Sequence, residues 1–100
     1  MKHVSRITCI NNGGFIQEFR VICNGGCIYQ SDRYANPQSR IVDLNRFNLP
    51  EEAEVWIVVH AILGKAKESW ERVAYSRNSS DTAVYRTTGT IWSVSVRLEN

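Results

Sequence analysis

The sequence predicts an all-β fold, a two-sheet immunoglobulin-like β-sandwich of seven to eight antiparallel strands, as a single domain over residues 1–100. Three observations predict it. Apolar and polar residues alternate with period two along most of the chain, the spacing that turns one face of a strand to a core. Turn-forming Asn, Gly, Asp and Pro recur between these runs at regular intervals, as in sandwiches. No segment long enough for a helix carries a helical period.

The first strand is read at residues 4–10 and ends at Asn11-Asn12-Gly13-Gly14, a strong turn signal. Residues 15–23 follow, with Phe15, Phe19, Val21 and Cys23 on one face. Gln17 interrupts that face, while Glu18 and Arg20 point to the other. Asn24-Gly25-Gly26 reads as a hairpin turn into a short strand at 27–30. A polar loop at 31–39, containing Pro37, leads to a short strand at 40–44 and a second loop at 45–52, containing Pro50. Residues 54–63 form the clearest central strand. Val55, Ile57, Val59 and Ala61 share one face, and Trp56, Val58, His60 and Ile62 the other. Large apolar residues on both faces predict burial on both sides or aromatic packing at an edge. Gly64 ends this strand, and 65–69 reads as a polar loop. Residues 70–76 form a strand or a helical turn, Val73 and Tyr75 favouring strand. After a loop at 78–81, residues 82–87 and 90–98 are the last two strands, with Trp92, Val94, Val96 and Leu98 expected to face inward.

Composition narrows the function. A hydrophobic content of 43% is ordinary for a globular chain and argues against disorder. The net charge is +2, and the basic residues are scattered rather than gathered into a stripe, so no nucleic-acid partner is expected. No run approaches the ~18 apolar residues of a membrane-spanning helix. Met1-Lys2-His3-Val4 lacks the apolar core of a signal peptide. The chain is therefore expected to be cytoplasmic, a mature form whose signal has been removed, or released by a route the sequence does not show.

Nothing in the sequence forms a catalytic or metal-binding set. The odd count of cysteines, Cys9, Cys23 and Cys27, argues against a complete disulfide framework. Cys23 and Cys27 flank the Asn24-Gly25-Gly26 turn, so one bridge is conceivable; three reduced, partly buried thiols are the simpler expectation. No Cys-x-x-Cys pair accompanies the two histidines, so neither metal nor cofactor is expected. His60 lies among apolar neighbours and reads as a packed or edge histidine, and His3 sits near the terminus. Glu51-Glu52 reads as an exposed loop, and Glu68 and Glu71 flank Trp70 within reach of Arg72. Gly13-Gly14 and Gly25-Gly26 open no helix, so no phosphate cradle is implied. Asn78-Ser79-Ser80 matches a glycosylation acceptor, which matters only in a secretory chain. The chain is not expected to be an enzyme. The remaining signal is aromatic. Trp56, Trp70, Trp92, Tyr29, Tyr34, Tyr75 and Tyr85 are many amphipathic rings for 100 residues, of a kind that suits half-wet interfaces and stacks on sugars.

Several segments, in order, resemble the C-terminal membrane-recognition β-sandwich of the cholesterol-dependent (thiol-activated) cytolysins. Gly14-Phe15-Ile16-Gln17-Glu18-Phe19-Arg20-Val21 is similar to that domain's early strand. Leu49-Pro50-Glu51-Glu52-Ala53-Glu54-Val55-Trp56-Ile57-Val58-Val59 resembles the start of its central strand. Residues 64–73, with Ala66, Glu68 and Trp70, fall where the family carries its tryptophan-rich undecapeptide, and Thr88-Gly89-Thr90-Ile91-Trp92 falls where it has Gly-Thr-Thr-Leu. The order holds over roughly residues 11–98. The resemblance implies the family's sandwich fold and a membrane-recognising role. The functional residues depart from the pattern. Ile62 stands near the family's Cys, only Trp70 remains of its tryptophans, Lys65 and Lys67 replace apolar positions, and Ile91-Trp92 replaces the sterol-recognising Thr-Leu pair. No counterpart of the pore-forming domains is present in the chain, so it is expected to act as a stand-alone module.

The expected function is a non-catalytic binding module that recognises a membrane lipid surface or a glycan through loops at one end of the sandwich. The candidate contact residues are Gly64, Lys65, Lys67, Trp70, Thr90, Ile91 and Trp92. The alternative is a protein-interaction module that adds a strand at a sheet edge or self-associates as a homo-oligomer.

Overall fold

A computed structural model describes residues 1–100. Its strands, in chain order, are β1 (His3–Val4), β2 (Arg6–Asn11), β3 (Gln17–Cys23), β4 (Gly26–Gln30), β5 (Ser39–Asp43), β6 (Glu54–Ala61), β7 (Ala66–Glu68), β8 (Val73–Tyr75), β9 (Thr82–Thr90) and β10 (Ser93–Leu98). One turn of 3-10 helix, Leu44–Phe47, follows β5, capped by the Asp43 side chain on the Asn45 N–H. One sheet runs β1-β8-β6-β3-β4, with β7 also on β6; the other runs β10-β9-β2-β5. The two-sheet sandwich is thus as the alternation predicts.

The core lies between the sheets and follows the period-two pattern. Phe19 and Val21 of β3 and Val55, Ile57 and Val59 of β6 meet Ile7 and Cys9 of β2 and Ala83 and Tyr85 of β9, all fully buried. Gln17, the residue that breaks the apolar face of β3, is fully buried too. Its Nε2 donates to the Tyr34 hydroxyl (2.8 Å), which donates to the Cys9 carbonyl (3.0 Å). Its amide is therefore half satisfied: Nε2 is hydrogen-bonded, while Oε1 is buried without a partner.

The structure corrects the expected strand list in four places. The N-terminal strand is two strands in two sheets. Ser5 is buried between them, its N–H bonded to Asp81 and its carbonyl to Leu44, so the chain crosses from β8 to β9. Both of these pairings, β1 with β8 and β2 with β9, are parallel, where a wholly antiparallel sandwich was expected. Residues 66–68, read as loop, form β7 against Val58–His60, which brings the strand count to ten. The outer face of β6 is not buried: Trp56 and Val58 are half-buried and His60 is exposed. They are covered instead by polar partners, the Arg72 guanidinium 3.7 Å from the Trp56 ring centroid and Glu18 on His60 (3.3 Å). That hydrogen bond holds the Glu18 carboxyl below its usual pKa.

The last hairpin also differs. Gly89 does not mark the turn; β9 runs through it to Thr90, and Ile91-Trp92 are the two turn residues. Gly89 has φ +103°, and a Cβ there would lie 2.1 Å from the Ser93 carbonyl oxygen, so only glycine fits this close approach. Trp92 therefore points away from the core rather than into it, while Val96 on the same strand is buried.

All three cysteines are free. β3 and β4 place Cys23 opposite Gly26 and Cys27 opposite Ile22, so the two thiols do not face each other. Burial pushes the Cys9 and Cys23 thiols up in pKa, whereas Cys27 is exposed. A thiol reagent at neutral pH is expected to label Cys27 alone in the folded protein and all three cysteines in denaturant; rapid labelling of Cys9 in the native state would contradict this packing.

Candidate functional site

One end of the sandwich is built from three loops whose backbones are bonded to one another. The β2–β3 loop is held by Asn11, whose Nδ2 donates to the Phe15 carbonyl (2.8 Å) and the Tyr34 carbonyl (3.1 Å), while its Oδ1 accepts from the Gly13 N–H (2.9 Å). Gly14 N–H then donates to the Gly89 carbonyl (2.9 Å), tying this loop to the β9–β10 hairpin. Ile62 N–H donates to the Ile16 carbonyl (2.8 Å), tying it to the β6–β7 loop. Lys65 N–H donates to the Ile91 carbonyl (3.0 Å) and closes the circuit. Gly64 makes this last contact feasible, because a Cβ there would come 2.6 Å from both the Ile91 Cβ and its carbonyl oxygen.

The loops present apolar side chains to solvent. Leu63 is 91% exposed, Trp92 73% and Ile16 50%, with Ile62 and Ile91 half-buried beneath them. Leu63 sits at φ +65°, a left-handed conformation that a bulky residue rarely adopts. A fully exposed leucine in a strained backbone makes no packing contribution to the fold, and such strain concentrates at functional tips.

The sequence-derived residues divide between this end and the side of the molecule. Gly64, Lys65, Thr90, Ile91 and Trp92 lie in or beside the loops; Thr90 Oγ1 accepts from the Trp92 N–H (3.3 Å) and braces the turn. Lys67 is on β7 opposite Val59, set back from the end. Trp70 is not part of it. The adjacent Ser69 N–H donates to the Ile57 carbonyl (2.8 Å), four positions behind Ala61, about 13 Å along the strand at ~3.3 Å per residue. Trp70 stands 91% exposed beside a cleft of about 540 Å³ between β7 and β10, lined also by Lys67, Glu68, Glu71, Val94 and Arg97. Sequence reasoning passed over Ile16 and Leu63, although each is an apolar residue beside a glycine-marked strand end.

No protein-family model matches the chain, and no curated protein matches it in sequence. Solved structures match it in fold. A Gram-negative toxin aligns over 92% of this chain with a TM-score of 0.54 and 16% identity. Pneumolysin aligns over 95% with a TM-score of 0.53 and 9% identity. A non-hemolytic pneumolysin from Streptococcus pneumoniae aligns over 96% with a TM-score of 0.50 and 10% identity. The chain has the fold of a cytolysin domain. It spans 22–24% of the length of these toxins, and at such identity the likeness is one of fold.

Proposed function

We propose that this cytolysin-type sandwich is a non-catalytic module that adsorbs to a membrane surface through its apolar end. The observation that carries the reading is the convergence of Leu63, Trp92 and Ile16, exposed on three loops that backbone hydrogen bonds lock together. Burying a leucine-sized side chain contributes about 1.5–3 kcal/mol. An indole suits the boundary between headgroups and acyl chains. Lys65, exposed beside these loops, adds about 1 kcal/mol on an anionic bilayer. No helix is long and apolar enough to cross a membrane, and adsorption by loops needs none. The fold shared with pneumolysin and a Gram-negative toxin supports a surface-recognition role.

Co-sedimentation with phosphatidylcholine vesicles, with and without phosphatidylserine and with and without cholesterol, tests the reading. Trp92→Ala is expected to weaken partitioning about tenfold, the equivalent of ~1.4 kcal/mol. Binding indifferent to both lipid composition and this substitution would overturn it. The second reading, self-association at a sheet edge, is favoured by Ile41, 62% exposed on the edge strand β5. A mass that rises with concentration, without vesicle binding, would select it.

A further inference from the structure

The cleft between β7 and β10 has features that neither the fold nor the apolar end uses. Trp70 is almost wholly exposed, and no ring or cation of the protein stacks on it. Arg72, by contrast, is fully engaged, by Glu54 (3.1 Å), Glu68 (3.6 Å) and the Trp56 ring. Lys67 and Arg97 line the cleft and belong to no ion pair. Glu71 lines it too and is under-satisfied. Its Oε1 accepts one long bond from the Leu98 N–H (3.4 Å), and its Oε2, shielded from solvent, has no donor at all. A buried carboxylate oxygen without a partner is costly, and native structures keep few of them.

We propose that this cleft binds an acidic pyranose sugar. The apolar C–H face of the ring lies on Trp70, as amphipathic ligands do on exposed indoles. The sugar carboxylate is taken by Lys67 and Arg97 through charge-assisted hydrogen bonds. A ring hydroxyl donates to Glu71, whose carboxylate swings toward the cleft because its one long bond holds it weakly. A free aromatic platform, two unpaired cations and an acceptor lacking a donor, gathered in one concave wall, match the few convergent polar groups of a small-ligand site. A lipid tail fits the same wall poorly, since Lys67, Glu68, Glu71 and Arg97 make half of its lining charged. The site is separate from the apolar end and needs no bilayer, so it stands or falls independently of the membrane reading.

Nitrogen-resolved NMR titration of the intact protein without membranes tests it, with N-acetylneuraminic acid, methyl glucuronide and methyl glucoside as probes. Both acidic sugars are expected to shift the Trp70 indole resonance and the backbone amides of Lys67, Glu71 and Arg97 saturably at millimolar concentration, the amides being the readout in Trp70→Ala. The neutral glucoside is expected to bind at least roughly tenfold more weakly, because it lacks the carboxylate that Lys67 and Arg97 hold. Trp70→Ala, at a surface position, leaves the melting temperature close to that of the wild type and removes binding of both acidic sugars. Glu71→Gln weakens it roughly tenfold. No saturable shift from any probe, a shift that survives Trp70→Ala, or equal affinity for the glucoside would each overturn the proposal.

Discussion

Replacing Leu63 and Trp92 together with glutamate is expected to abolish adsorption to vesicles while leaving the fold intact. Each side chain contributes about 1.5–3 kcal/mol when its apolar surface leaves water. Losing both removes on the order of 3–6 kcal/mol, a factor of roughly 10² to 10⁴ in partitioning. The new carboxylates add repulsion on an anionic surface. The folded state loses little, because both residues are exposed in turns, where substitutions usually change stability by less than about 0.5 kcal/mol. Circular dichroism and a urea melt matching wild type, with no protein in the vesicle pellet, is the expected result. A double variant that still sediments with vesicles would remove the apolar end from the mechanism.

The largest expected loss of stability lies at Phe19. Its ring is fully buried on β3 at the centre of the core, 6.0 Å from the Tyr29 ring and 6.4 Å from that of Tyr34. Phe19→Ala is expected to cost about 3–5 kcal/mol, from lost transfer energy and the cavity left behind. A domain of this size has only about 5–15 kcal/mol in total. A urea melt would therefore show a much lower midpoint with a similar slope. Ile41→Ala, exposed on an edge strand, is the matched comparison and is expected to move the midpoint little. Equal effects at the two positions would mean that the core is not organised around β3 as described.

Much of this architecture is readable in the order of residues. Val55, Ile57, Val59 and Ala61 alternate without a break and are all fully buried on β6. Phe19, Val21 and Cys23 do the same on β3. Asn24-Gly25 both adopt positive φ, as a tight hairpin requires. These features are local. A strand's inner face follows from the pleat, and a turn's residue types follow from its backbone angles.

What escaped the sequence depends on strands that meet from far apart in the chain. Lys67 flanked by Ala66 and Glu68 has no apolar alternation, yet it becomes a strand because the neighbouring edge of β6 is free to pair with it. Gly89 looks like a turn residue but instead admits the Ser93 carbonyl, which moves the turn to Ile91-Trp92 and points Trp92 outward. Trp70 shares a segment with Gly64 and Lys65, yet the Ser69–Ile57 hydrogen bond fixes it about 13 Å back from them at ~3.3 Å per residue. Ile16, Leu63 and Trp92 are 76 positions apart at their extremes, counted from Ile16 to Trp92, and no periodicity links them. They form one apolar end because sheet pairing brings three loops side by side and Gly64 lets the Ile91 backbone approach. Alternation specifies which face of each strand is inward; long-range pairing and close backbone contacts specify which loops become neighbours, and so where a surface can act.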